Sequence, residues 1–136
     1  MKKILVVDDE KDIVEIISMY LEREDYEPLA AYDGHEALGK IINGKPDLIV
    51  LDIMMPKLDG HSLNIKLKEN PETKDIPVIV ITGKGHLREI ITAREDVTIV
   101  DYLEKPFQMN ELLEKIKNVF EKKNEKISSE FRVHSS

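Results

Sequence analysis

Apolar residues gather in short unbroken runs at Ile4–Val7, Leu48–Leu51 and Val78–Ile81, and none of these runs alternates with polar positions. Runs of that length describe strands buried on both faces, as in a parallel sheet covered by helices on each side. Between them the spacing becomes helical. Ile13, Ile16, Ile17, Tyr20 and Leu21 recur at intervals of three and four, predicting a helix that buries one face. Ala37, Leu38, Ile41 and Ile42 form a shorter stripe, stopped by Asn43-Gly44 and Pro46. Leu63 and Leu67 mark a third helix, closed by Asn70-Pro71, and Leu87, Ile90 and Ile91 a fourth. Val97 to Leu103 reads as the last extended segment. Met109, Leu112, Leu113, Ile116, Val119 and Phe120 then predict a final helix with Lys and Glu on its other side. A strand over Glu27 to Ala31 contains Pro28, which lacks a ladder donor and suits a sheet edge or a strand start.

Strands alternating with helices in this way predict an α/β domain: an open, doubly wound five-stranded parallel sheet with helices on both faces and right-handed crossovers. In that architecture ligands bind beyond the carboxyl ends of the strands, near the switch point in strand order. Residues at the strand exits are therefore the site candidates. The domain is expected over residues 1–123. The polar, aperiodic stretch 124–136 is expected to be an unstructured tail: a native stub, the start of a linker, or a cloning remnant.

Composition narrows the chemistry. The 136 residues, 41% hydrophobic and 35% charged, suit one globular domain. No apolar run approaches the roughly 20 residues needed to cross a bilayer, and the N-terminus lacks a secretory-signal layout, so a cytoplasmic protein without membrane insertion is expected. The absence of cysteine excludes disulfides, thiolate metal sites and a thiol nucleophile. A net charge of -7 argues against direct nucleic-acid binding, since Lys122, Lys123 and Lys126 supply the only local basic excess and acids interleave them. His35, His61, His86 and His134 lack ligand spacing, and the five methionines look like gap-fillers.

Asp8 and Asp9 leave the first strand, Asp52 the third, Thr82 the fourth, and Lys105 follows the fifth. One acid after a strand is ordinarily a helix cap or a solvated loop residue. Independent strands delivering carboxylates, a hydroxyl and an ammonium to one edge is a different matter. Three carboxylates held ~5 Å apart repel pairwise by about 3 kcal/mol at an effective dielectric near 20. Lys105 offsets part of this and a divalent cation would neutralise the remainder. Hard oxygen ligands favour Mg²⁺, with Mn²⁺ as a substitute. Mg²⁺ commonly bridges carboxylates to phosphate oxygens, and an aspartate can accept a phosphoryl group as a nucleophile. Lys105 and the Thr82 hydroxyl would then meet the transferring oxygens.

The motifs "VVDDE" (6–10), "LDIMMPKLDG" (51–60), "VIVITGKG" (78–85) and "DYLEKPF" (101–107), in this order, resemble the receiver domain of two-component response regulators. The resemblance covers residues 1 to about 123 and implies a CheY-like, flavodoxin-like fold with strand order 2-1-3-4-5. It implies that Asp52 accepts the phosphoryl group, that Asp8, Asp9, Asp52 and the backbone carbonyl of Met54 hold Mg²⁺, and that Lys105 contacts the phosphate. Thr82 and Tyr102 are the implied switch pair, the Lys105–Pro106 bond is implied to be cis, and Gly60 matches the glycine of the loop after the third strand. Lys84 and Met54 border the site, where the family tunes dephosphorylation; both can equally be rim residues. The implied partners are a sensor histidine kinase or histidine phosphotransfer protein, and a downstream protein target or an output domain. The implied output surface is the fourth helix, last strand and last helix. The chain departs from the family's pattern in "AREDVTIVDY", where no glycine turn precedes the last strand and the interval from Thr82 to Lys105 is slightly long. Two rival readings exist. An aspartate-nucleophile phosphatase of the haloacid-dehalogenase type would want a second acid where Met54 stands, and a scaffold signalling by contact alone would leave the acids unexplained.

Overall fold

Both faces of the sheet are covered, which explains strands that are apolar throughout. The computed structural model describes residues 1–53, 60–83, 85 and 99–135, and among these the side chains of all but 60–64 and 123–135. The elements are β1 (Lys3–Val7), α1 (Lys11–Arg23), β2 (Glu27–Ala31), α2 (Gly34–Gly44), β3 (Leu48–Asp52), α3 (Gly60–Glu69), β4 (Val78–Thr82), β5 (Ile99–Glu104) and α4 (Met109–Ser135). The helix expected around Leu87, Ile90 and Ile91 lies outside the described residues, as does the side chain of Leu63.

The five strands form one parallel sheet in the order β2-β1-β3-β4-β5. Successive residues point to opposite faces, so each apolar run divides between two cores. Leu5, Val7, Ile49, Leu51, Val78 and Val80 meet Ala37 and Ile41 of α2 and Leu67 of α3. Ile4, Val6, Leu48, Val50, Ile79 and Ile81 meet Val14, Ile17 and Leu21 of α1 and Leu112 and Ile116 of α4. Pro28 sits in β2 at the sheet edge, where its missing donor costs no interior ladder bond.

The buried stripe of α1 is rotated from the expected one. Val14, Ile17 and Leu21 are buried, whereas Ile16 is 45% exposed and Tyr20 36%. Periodicity alone cannot choose between overlapping apolar faces on one helix, and here the sheet chose the face centred on Val14, Ile17 and Leu21. The stop of α2 also works differently from expectation. Lys45 carries the left-handed conformation (φ 47°), while Gly44 serves close approach, because a Cβ there would lie 2.9 Å from Leu29 Cδ1.

Two further devices went unread in the sequence. Asp33 caps α2 by accepting from the Glu36 N–H at 2.8 Å, and Glu36 reaches back to the Tyr32 N–H at 3.4 Å. Beyond α3, the buried Thr73 hydroxyl donates to the Leu67 carbonyl at 2.6 Å, satisfying an acceptor that the helix end leaves open. At the other end of the chain, α4 continues to Ser135, so the backbone is helical through the stretch expected to be an unstructured tail. No Gly or Pro follows Pro106 to interrupt it, and extending an existing helix is far easier than nucleating one.

The rotated stripe is testable by denaturation. Ile17→Ala should lower unfolding free energy by about 2–5 kcal/mol through cavity formation, and Ile16→Ala by about 1 kcal/mol or less. Equal losses would restore the face first expected.

Candidate functional site: an acidic cluster at the strand exits

Parallel pairing puts the exits of β1 and β3 side by side, with Val7 opposite Leu51. One residue on, Asp8 and Asp52 emerge together, both buried, with the exposed Asp9 beside them. One carboxylate oxygen from each of the three lies within 4.8 Å of the others. This is the grouping expected from the sequence.

Lys105 reaches into it from the far side. Its backbone N–H donates to the Thr82 carbonyl at 2.7 Å, tying the turn after β5 to the exit of β4. Its ammonium stands 2.9 Å from Asp8 Oδ2 and 3.1 Å from Asp52 Oδ2, donating a hydrogen bond to Asp52. The Lys105–Pro106 peptide bond is cis, as the resemblance implied. A bulge in β5 sets the register: Ile99 pairs with Val78 but Asp101 with Ile79, so Val100 is the extra residue. Beyond the bulge, Asp101 faces α4 and pairs with Lys115 at 3.0 Å. Tyr102 then pairs with Val80, half-buried against the α2–α3 core. Thr82 is fully buried at the end of β4. Met54 and Lys84 lie outside the described residues.

The electrostatics show a site that is incompletely balanced. Burial pushes the Asp8 carboxyl up to about 6; the hydrogen bond from the Glu10 N–H and the contact with Lys105 oppose this, and Asp52 adds to it. The Lys105 ammonium, flanked by two carboxylates, is held above its ordinary range although burial works against it. Asp8 Oδ2 and Thr82 Oγ1 are the buried side-chain polar atoms, among the described residues, that make no hydrogen bond. For Asp8 Oδ2 the Lys105 contact is thus an ion pair without hydrogen-bond alignment. A buried carboxylate oxygen that makes no hydrogen bond, next to two further carboxylates, is a donor set suited to a hard divalent cation. The residues present fit such an ion.

Comparison with known proteins agrees with this geometry. Residues 4–117 match the family described as the response regulator receiver domain. The chain belongs to the response regulator receiver family. As a receiver it is a signalling domain rather than a classical enzyme. The receiver is 41% identical over 118 residues to the alkaline phosphatase synthesis transcriptional regulatory protein PhoP of Bacillus subtilis, covering 87% of this chain and 48% of PhoP. It is 43% identical over 118 residues to the phosphate regulon transcriptional regulatory protein PhoB of Pseudomonas aeruginosa, covering 87% of this chain and 51% of PhoB. The receiver therefore spans about half the length of these curated relatives. Among solved structures, a receiver domain protein from Clostridium thermocellum superposes with a TM-score of 0.82 at 32% identity, covering 91% of this chain and 98% of that one. TrrA of Thermotoga maritima, solved in complex with Mg²⁺ and BeF, superposes with a TM-score of 0.75 at 37% identity, covering 87% and 98%.

No helix among the described residues is long and apolar enough to cross a membrane. Of the residues expected at the strand exits, Asp8, Asp9, Asp52 and Lys105 come together, and Thr82 is joined to Lys105 through its backbone carbonyl. Sequence reasoning missed Glu10, whose carboxylate lies 3.9 Å from the Lys105 ammonium; "VVDDE" displays a third acid, but only its reach towards a lysine far along the chain gives it meaning.

The raised Asp8 value has a defined consequence for stability without metal. Between about pH 4 and 6 the folded protein retains a proton that the unfolded chain, with a reference value of 3.8, has released. Stability without metal therefore falls as pH climbs through that window, by an amount on the order of 2–3 kcal/mol. Lys105 contributes in the same direction but in an alkaline window, with stability present below its unfolded value and lost only as pH rises through the higher folded one. Urea denaturation of metal-free protein at pH 4.5 and 7 should show the acidic-side gain, and Asp8→Asn should flatten it. A profile that instead rises towards pH 7 would show that burial does not govern Asp8.

Proposed function

We propose that this receiver accepts a phosphoryl group from a phosphohistidine, on a sensor histidine kinase or a histidine phosphotransfer protein, onto Asp52. The observation that carries this reading is the Lys105 ammonium held between Asp8 and Asp52 at the exits of adjacent strands, with the orphaned Thr82 hydroxyl at the neighbouring exit. In the transfer, an oxygen of Asp52 forms a bond to phosphorus while the P–N bond breaks and its electron pair leaves with the imidazole. The product is an acyl phosphate. Lys105 stands where it can follow the phosphoryl oxygens, and Thr82 Oγ1 can donate to one of them.

Asp8, Asp9 and Asp52 would hold Mg²⁺, together with the backbone carbonyl of Met54 that the family resemblance implies, and Mn²⁺ is the expected substitute. The ion would supply charge neutralisation for the oxygens that gather on phosphorus. The relative TrrA was solved with Mg²⁺ and BeF, which supports this choice. The same constellation supports slow self-catalysed loss of the phosphoryl group to water, in keeping with a transient cytoplasmic signal.

Phosphorylation adds about -1.5 to -2 charges at one point of the sheet edge. Thr82 turns towards the new oxygens, and Tyr102 moves into the space beside it. Moving such a two-state equilibrium from mostly off to mostly on takes about 5.5 kcal/mol of differential interaction. The altered surface includes β5 and α4, and it addresses a downstream protein or an output domain, as the transcriptional regulators PhoP and PhoB suggest. Residues 1–123 form the receiver unit in this reading, with 124–136 as a tail or linker stub.

Incubation with acetyl phosphate and Mg²⁺ should add the mass of one phosphoryl group, and Asp52→Asn should abolish the gain. Retention of the adduct by Asp52→Asn would move the acceptor elsewhere. Lys105→Ala should slow phosphorylation by at least tenfold in the same assay, since it removes an ammonium that hydrogen-bonds the acceptor carboxylate.

A further inference from the structure

Among the described residues that pair with the Lys105 ammonium, Glu10 is the one to which the phosphoryl-transfer reading assigns no task. It occupies the N-cap of α1 with an extended backbone (φ -85°, ψ 103°), yet its side chain makes no capping hydrogen bond. Its own N–H donates to Asp8 Oδ1 at 3.0 Å, which pins the residue beside the buried carboxylate. Its side chain, 60% exposed, turns instead towards the Lys105 ammonium, with Oε2 at 3.9 Å. Among the described residues, Lys105 thus has two carboxylate neighbours on the buried side, at 2.9 and 3.1 Å, and a third on the solvent side.

We propose that Glu10 is a positioning residue that competes with phosphoryl oxygens for the Lys105 ammonium, so that the site holds a divalent cation more tightly and a phosphoryl group less tightly. The inference rests on the acceptor reading of Asp52. Its physical basis is the sign of the charge: a carboxylate at the rim attracts an incoming cation and repels an incoming anion, so its removal shifts the two affinities in opposite directions. It acts on the anion a second time, because Lys105 must turn from its present carboxylate partners to meet new oxygens and Glu10 offers it somewhere else to stay. The plain alternative is a solvated surface acid that happens to lie near a lysine. At 3.9 Å the contact is an ion pair at its outer limit, more than half in water on the Glu10 side, so the effect is modest and open to screening.

The test is Glu10→Gln, which keeps the size of the side chain and the backbone cap and removes only the charge. Titration calorimetry on the full chain would measure Mg²⁺ binding first, then binding of beryllium fluoride at saturating Mg²⁺. At low ionic strength the Mg²⁺ dissociation constant should rise and the beryllium fluoride dissociation constant should fall, each about two- to fivefold. Both differences should shrink towards unity by about 0.5 M salt. A variant that is merely damaged weakens both ligands together. Shifts in the same direction, or no shift in either, overturn the proposal. Failure of the unaltered protein to bind beryllium fluoride in Mg²⁺ overturns the acceptor reading itself, and this proposal with it; binding that Asp52→Asn abolishes ties the measurement to the intended side chain.

Discussion

Like charges gathered at one edge of a sheet are the constraint on which the site depends. Asp8, Asp9 and Asp52 lie close enough to share one ion, and two of them are buried. Burial strips water from the Asp8 carboxylate and so raises its pKa, and the neighbouring Asp52 charge adds a smaller push in the same direction. The Lys105 ammonium relieves part of the strain by bridging Asp8 and Asp52. What is left is a standing preference for positive charge, and a receiver domain exploits that preference.

The fold supplies this arrangement through two ordinary features of a doubly wound sheet. Parallel strands deliver all their carboxyl ends to one edge, and the order β2-β1-β3-β4-β5 places β1 and β3, far apart in sequence, next to each other. Helices on both faces then bury the strand ends, which is why Asp8 and Thr82 lose access to water. The apolar residues that hold the sheet together are thus also the cause of the polar tension at its edge. The bulge at Val100 adds a local adjustment, directing Asp101 to Lys115 on one face and Tyr102 to the opposite core.

Partners around Lys105 divide by depth. Asp8 and Asp52 lie beneath it and Glu10 lies towards solvent, so one ammonium connects the buried cluster with the rim. The nearby Thr82 hydroxyl, buried without a hydrogen bond, is the second group with more to gain from a new anionic partner than from its present surroundings.

The sequence by itself determined the succession of elements, the parallel character of the sheet and the chemistry of the strand exits. These are local properties: unbroken apolar runs, helical spacing and residue type are all read within a few positions of the chain. Its limits show at particular residues. Ile16 and Tyr20 follow the same spacing as Ile17 and Leu21, and only contact with the sheet decides which are buried. The left-handed stop of α2 falls on Lys45, and Gly44 serves close approach to Leu29 on a different element. The helical extension through residues 124–135 depends on an element already nucleated upstream. Above all, tertiary structure decided that Lys105 meets Asp52 across 53 positions of sequence and that Glu10 turns towards the same ammonium. Such encounters are set by strand order and burial, neither of which is contained in the spacing of neighbouring residues.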